Sequence, residues 1–183
     1  MEKYLNLSIV ILLFFMISCA SKQKIDLTKS NDLNKVITER LLEIKSKSAT
    51  PRLTNAYNQV ANSGLLPPGS SSGLINLNGN YNYLKIIKDS VSGYFPYYGE
   101  RQMGGAYTND NGLIQFDGIP NDLTVTETKK NSYTIRFSIN DKVNTTESYN
   151  VSVQLFNSLN SEININSSHR MGIKYSGKVK PYE

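Results

Sequence analysis

Residues 132–155, SYTIRFSINDKVNTTESYNVSVQL, carry the pattern that decides the fold. Tyr133, Ile135, Phe137 and Ile139 alternate with Ser132, Thr134, Arg136 and Ser138. After a polar interruption, Tyr149, Val151, Val153 and Leu155 alternate with Asn150, Ser152 and Gln154. Successive side chains of a strand point to opposite faces, so a period of two gives each segment one apolar and one polar face. The same period continues on both sides. Ile163 and Ile165 alternate with Asn164 and Asn166, Met171, Ile173 and Tyr175 alternate with Gly172, Lys174 and Ser176, and Leu123 and Val125 start a similar run. Five consecutive strands with short polar connections predict an antiparallel meander.

Upstream the signals are mixed. Tyr81 and Tyr83 share one parity while Leu84 and Ile86 share the other, which predicts a bulge or a strand buried on both faces. Asn78-Gly79, Asn111-Gly112 and Asp117-Gly118 mark turns. From Ser30 to Ser48 the apolar residues Leu33, Val36, Ile37, Leu41 and Ile44 follow helical spacing. Ser30 is the expected N-cap, Glu43 and Lys47 the expected i,i+4 pair, and Thr50-Pro51 the expected stop. The expected fold is mainly β. About eight antiparallel strands form a small barrel or two-sheet sandwich, with one N-terminal amphipathic helix, in a single domain over 30–183.

One His and one Cys among 183 residues exclude a Cys/His zinc site, a CxxC redox pair and an internal disulfide. No metal and no cofactor is expected. Residues 1–18 read as a signal peptide. Lys3 precedes the apolar run Ile9–Ile17, which is far short of the roughly 20 residues a spanning helix needs. Met16-Ile17-Ser18-Cys19 resembles a bacterial lipobox, which implies cleavage before Cys19 and acyl chains on it. Two or more chains anchor stably where one does not. Residues 19–29 then form a short polar tether. Ala20 after the Cys points to the outer membrane, periplasmic face.

Charge is uneven. Residues 22–52 hold eight Lys/Arg against four Asp/Glu, while residues 53–183 hold eleven against ten. A nearly neutral body argues against a nucleic-acid surface, and a basic approach segment suits anionic headgroups.

The segment Tyr94-Phe95-Pro96-Tyr97-Tyr98-Gly99-Glu100-Arg101 breaks the alternation with aromatics around a proline. With Gly112-Leu113-Ile114-Gln115-Phe116 and His169-Arg170-Met171-Gly172-Ile173-Lys174-Tyr175-Ser176-Gly177, it resembles the Bacteroidota lipoprotein family catalogued as domain of unknown function 4251. The resemblance covers roughly residues 30–180 and implies a lineage and a cell compartment, with no reaction attached.

Two physical readings of the aromatic segment remain open. Tyr94, Phe95, Pro96, Tyr97, Tyr98 and Arg101 close one end of the β-structure, with Pro96 at a strand end where no ladder donor is needed. Alternatively, Tyr97, Tyr98 and the loop from Glu100 to Tyr107 line an opening for a ligand. Arg170, in the last hairpin turn, is expected to meet a backbone carbonyl or a carboxylate. His169 is read as a solvent-facing turn residue, since no GxSxG elbow accompanies it. Glu100, Asp110, Asp117 and Asp122 read as loop-surface carboxylates. Catalysis is not expected. The functional expectation is a lipid-anchored envelope protein that binds a small apolar or amphiphilic ligand. The alternative is a structural protein docking another envelope component, and a hydrolase is the remote one.

Overall fold

The chain is described by a computed structural model over residues 27–103, 112–129 and 132–182. Cys19 and the apolar run before it, the loop residues 104–111 (Asp110 among them) and residues 130–131 lie outside the described residues. In chain order the elements are α1 (Leu27–Glu39), β1 (Leu41–Pro51), α2 (Asn55–Ala61), β2 (Ile75–Asn76), β3 (Tyr83–Ile87) and β4 (Ser90–Pro96). They continue with β5 (Leu113–Gly118), β6 (Asn121–Lys129), β7 (Ser132–Asn140), β8 (Ser148–Leu155), β9 (Asn160–Ser167) and β10 (Ile173–Pro181).

The ten antiparallel strands form one sheet in the order β5-β4-β3-β1-β10-β9-β8-β7-β6, with β2 paired to β1. The sheet curls into a half-barrel. Its concave side holds the alternating residues of the meander, Ile135, Phe137, Tyr149, Val151, Val153, Ile163, Ile165, Ile173 and Tyr175, all buried. Leu42, Ile44, Leu84, Ile86, Phe95, Ile114 and Phe116 complete this core from the other half. Leu33 and Val36 of α1 are buried on it, and Tyr133 donates from Oη to Asn34 Oδ1 at 2.8 Å. Burial of apolar area at roughly 25 cal/mol per Å² is the main force holding these layers together.

The expected helix from Ser30 to Ser48 is corrected. The helix begins at Leu27, upstream of Ser30, and ends at Glu39. Arg40 turns the chain with φ of 50°. Residues 41–51 are then a strand at the centre of the sheet, between β3 and β10. Leu33 through Ile44 satisfy a helical stripe, but Leu42, Ile44 and Ser46 equally satisfy a period of two, and two flanking strands settle the choice. Glu43 pairs with Lys180 across the ladder at 3.0 Å and not with Lys47 along a helix. Pro51 ends a strand.

The centre of the sheet is tightly fitted. The β1–β10 register shifts between Ser46 and Ser48, where Gly177 lies against the β1 backbone. A Cβ on Gly177 would stand 2.2 Å from Lys45 O, so only glycine fits. Buried Asn82 serves the other edge of β1 at the same residue, Ser46. Its Oδ1 accepts from Ser46 N at 2.8 Å and its Nδ2 donates to Ser46 O at 3.0 Å, extending the β1–β3 ladder by a side chain where the backbone pairing ends at Ile44 opposite Leu84.

β3 has neither the bulge nor the two-sided burial expected of it. It pairs in unbroken register with β4, Leu84 and Ile86 face the core, and Tyr83 faces outward. The tyrosine parity belongs to an aromatic cluster on the convex face. Tyr83 and Tyr94 stack at 6.3 Å, and Tyr81 crosses both at 5.5 and 5.3 Å.

Candidate functional site

Three segments distant in sequence meet at one end of the half-barrel. β4 ends at Pro96, and the chain from Tyr97 to Met103 then runs beside the β9–β10 turn. Met171 N donates to Glu100 O at 3.0 Å, and Gln102 N donates to His169 O at 2.8 Å. Tyr97 N donates to Gly112 O at 2.8 Å, which joins the start of β5. Side chains lace the same segments. Tyr175 Oη donates to Pro96 O at 2.9 Å, and its ring lies 4.6 Å from that of Phe95. Tyr97 Oη reaches Glu100 O at 2.9 Å and Met171 O at 3.0 Å.

Beneath this lacing lies a buried charged cluster. The side chain of Glu147 is 0% exposed and that of Arg170 4%, with Arg170 Nε 2.8 Å from Glu147 Oε1. Arg170 Nη2 donates to Glu147 Oε2 at 3.2 Å, and Nη1 donates to Leu113 O at 2.6 Å. The guanidinium lies 5.2 Å from the centre of the Tyr97 ring. Ser167 Oγ donates to Glu147 Oε1 at 2.6 Å, and Arg101 Nη2 stands 3.5 Å from Glu147 Oε2. Asp141, also buried, accepts from Val143 N, Asn144 N and the hydroxyl of Tyr149. Burial holds the Tyr97 hydroxyl up to about 12, with Glu147 and Glu100 acting in the same direction and Arg170 against them. Burial also raises Tyr149, where the hydrogen bond to Asp141 adds to it, and raises Tyr175.

The aromatic segment divides by parity. Phe95 is core, 0% exposed. Tyr94 belongs to the convex cluster, Pro96 supplies a carbonyl to Tyr175, and Tyr97 is a tie between segments. Arg101 donates from Nε to Met103 O at 2.9 Å and flanks Glu147. Tyr98, Gly99 and Glu100 are different. With Ala56, Tyr57, Val60, Leu65 and Leu66 they line an open, mostly apolar groove of about 270 Å³. Thr54 caps α2, its Oγ1 accepting from Tyr57 N at 3.1 Å, which positions Tyr57 and Val60 toward the groove. The ring of Tyr57 is 7% exposed, and its buried hydroxyl has no hydrogen-bond partner among the described residues. Burial raises its pKa, and the neighbouring Tyr98 adds to the effect. Sequence reading missed α2. Its signals were Thr54 as a cap, Tyr57, Val60 and Ala61 at helical spacing, and the apolar pair Leu65-Leu66 stranded before two prolines.

The remaining candidates separate. His169 Nδ1 is 2.7 Å from Ser168 Oγ in the turn. Asp117 pairs at the surface with Lys142 at 3.2 Å, and Asp122 is exposed. Among the described residues no group of three His, Cys, Asp or Glu could hold a metal ion, and no helix is long and apolar enough to cross a membrane.

The chain's sequence from residue 24 to residue 179 matches the family described as Domain of unknown function (DUF4251). A crystal structure of a DUF4251 family protein from Bacteroides eggerthii superposes with a TM-score of 0.53 at 14% identity, covering 84% of this chain and 88% of that one. No curated protein matches the chain.

Proposed function

We propose, from the premise that the chain belongs to the DUF4251 family, a domain of unknown function, that it is a lipid-anchored, non-catalytic binding module of the cell envelope. Its ligand is a small neutral amphiphile held between Tyr57 and Tyr98. The observation that carries this reading is the open, mostly apolar groove of about 270 Å³ between α2 and the Tyr98–Glu100 segment. A water's share of liquid volume is about 30 Å³, so the groove has room for roughly nine such groups, a short acyl chain or a single ring system. Glu100 on the rim disfavours an anionic headgroup. The buried carboxylates support a non-catalytic role, because Arg170, Ser167, Tyr149 and backbone N–H groups already occupy Glu147 and Asp141.

Calorimetric titration with methyl hexanoate and with hexanoate tests the groove. The ester binds saturably, and the carboxylate binds about tenfold more weakly, a difference of about 1.4 kcal/mol. Val60→Asp, at an exposed position, abolishes ester binding while leaving the fold intact. Ester binding that survives Val60→Asp removes the groove from the proposal, and no saturable binding at all removes the ligand. The anchor is tested separately: Cys19→Ser releases the protein from the membrane fraction, and a variant that stays membrane-bound and processed overturns the lipobox reading.

A further inference from the structure

An open sheet has two edges, and this one treats them differently. At the β5 edge, Gln115 O accepts from Lys142 N at 2.8 Å and Leu113 O accepts from Arg170 Nη1 at 2.6 Å. Lys142 Nζ also pairs with Asp117 of β5 at 3.2 Å. The loop after β7 thus closes that edge. β6 lies beyond the closure, bonded to β7 alone. Among the described residues no other strand or turn backbone bonds Thr124, Val125 or Thr126, and these three, with Asn121, Asp122 and Thr128, are exposed whichever face they lie on.

Nine residues at about 3.4 Å each give an edge of roughly 30 Å, along which every second residue turns its N–H and C=O away from β7. Its middle, Thr124 to Thr126, carries no charge, proline or bulge. Thr124, Val125, Thr126 and Thr128 are β-branched, and residues 123–128 contain no proline and no lysine. Register shifts between Asn121 and Thr124 and between Glu127 and Lys129 bound a regular stretch.

We infer that β6 pairs antiparallel with β6 of a second copy of this chain, about a two-fold axis through Val125. The register is self-complementary. Within the regular stretch Val125 faces Val125 and Thr124 faces Thr126 in both directions, so no like charges oppose there and the Thr and Val pairs are favourable ones. A second copy fits better than a foreign strand because each copy has one capped and one bare edge. Mutual pairing satisfies both bare edges at once, and the capped edges stop growth at two.

Cysteine cross-linking of the full chain tests this. Directly opposed residues in antiparallel strands have Cα atoms about 4.5–5.5 Å apart, within disulfide range. Under mild oxidation Val125→Cys becomes mostly a disulfide-linked homodimer. The parent chain, with Cys19 alone, and Gln154→Cys, on the exposed face of β8, do not. Adding Thr124→Lys and Thr126→Lys to Val125→Cys abolishes the cross-link and leaves a monomer in sedimentation velocity, since both positions are exposed and the lysines then face each other across the axis. Val125→Cys that stays monomeric, cross-links no more than Gln154→Cys, or links to a different protein overturns the inference.

Discussion

Arg170→Met is the substitution whose effect follows most directly from the structure. Methionine keeps an unbranched apolar stem against the Tyr97 ring but removes the guanidinium. Glu147, fully buried, then loses its 2.8 Å ion pair and its 3.2 Å hydrogen bond, and Leu113 O loses the donor that caps the β5 edge. Breaking one side of a buried pair costs about 3–5 kcal/mol, because the partner charge stays desolvated. Arg101, 3.5 Å from Glu147 Oε2, still opposes that charge and holds the cost near the lower end, about 3 kcal/mol. With a urea m-value of about 2 kcal/mol/M, the unfolding midpoint falls by about 1.5 M at unchanged m. Urea titration followed by circular dichroism reads this shift, and native-state hydrogen exchange at Lys142 N–H reads the opening of the β5 edge. The double variant Arg170→Met/Glu147→Leu discriminates further. With no orphaned charge left, it is more stable than Arg170→Met alone. A midpoint shift below about 0.5 M, or a double variant as unstable as the sum of the singles, refutes this account of the cluster.

Stability depends on pH in the alkaline range. The Tyr97 hydroxyl is held up to about 12 in the folded state against ~10 in the unfolded chain, so the fold disfavours its phenolate. That contribution is whole below about pH 10 and disappears as pH rises toward 12, and Tyr149 and Tyr175 act in the same direction. Unfolding midpoints measured from pH 8 to pH 12 therefore decline above about pH 10, with a shallower decline in Tyr97→Phe. Asn82→Leu strands the N–H and C=O of Ser46 in the core at a cost of about 2–3 kcal/mol and speeds amide exchange at Ser46, measurable by NMR. Gly177→Ala drives a methyl group into Lys45 O and destabilises the β1–β10 pairing by at least as much as an overpacked core, about 1–3 kcal/mol, read by thermal unfolding.

β7 to β10 of the meander were legible because each has one buried and one solvated face, and that asymmetry is what a period of two records. β1 was not. Leu33, Val36, Ile37, Leu41 and Ile44 fit one helical stripe, and the break at Arg40 uses a positive φ without the glycine or asparagine that would announce it. Tyr81 and Tyr83 misled for a related reason: outward aromatics that cover one another mimic core residues. Of the aromatic segment, Pro96 at a strand end and Arg170 against a carbonyl and a carboxylate follow from single-residue chemistry. The partner of that arginine does not. Glu147 stands in a run of Asn, Thr and Ser that looks like any solvated turn, and only the fold brings Arg170 and Ser167 onto it. The groove depends on α2, a helix of seven residues, too short for periodicity to reveal.

Because the first strand of the sheet is hydrogen-bonded to the last, from Leu42 opposite Pro181 to Pro51 opposite Ile173, the two halves of the domain share no spine until β10 has been made. β3 to β5 on one side and β6 to β9 on the other can form local hairpins early, but β1 and β10 must search for each other across almost the whole chain. Contacts of such high sequence separation slow folding. The central strand β1 therefore waits, paired on one side only, until β10 supplies the other half of its ladder and draws the two halves of the sheet together.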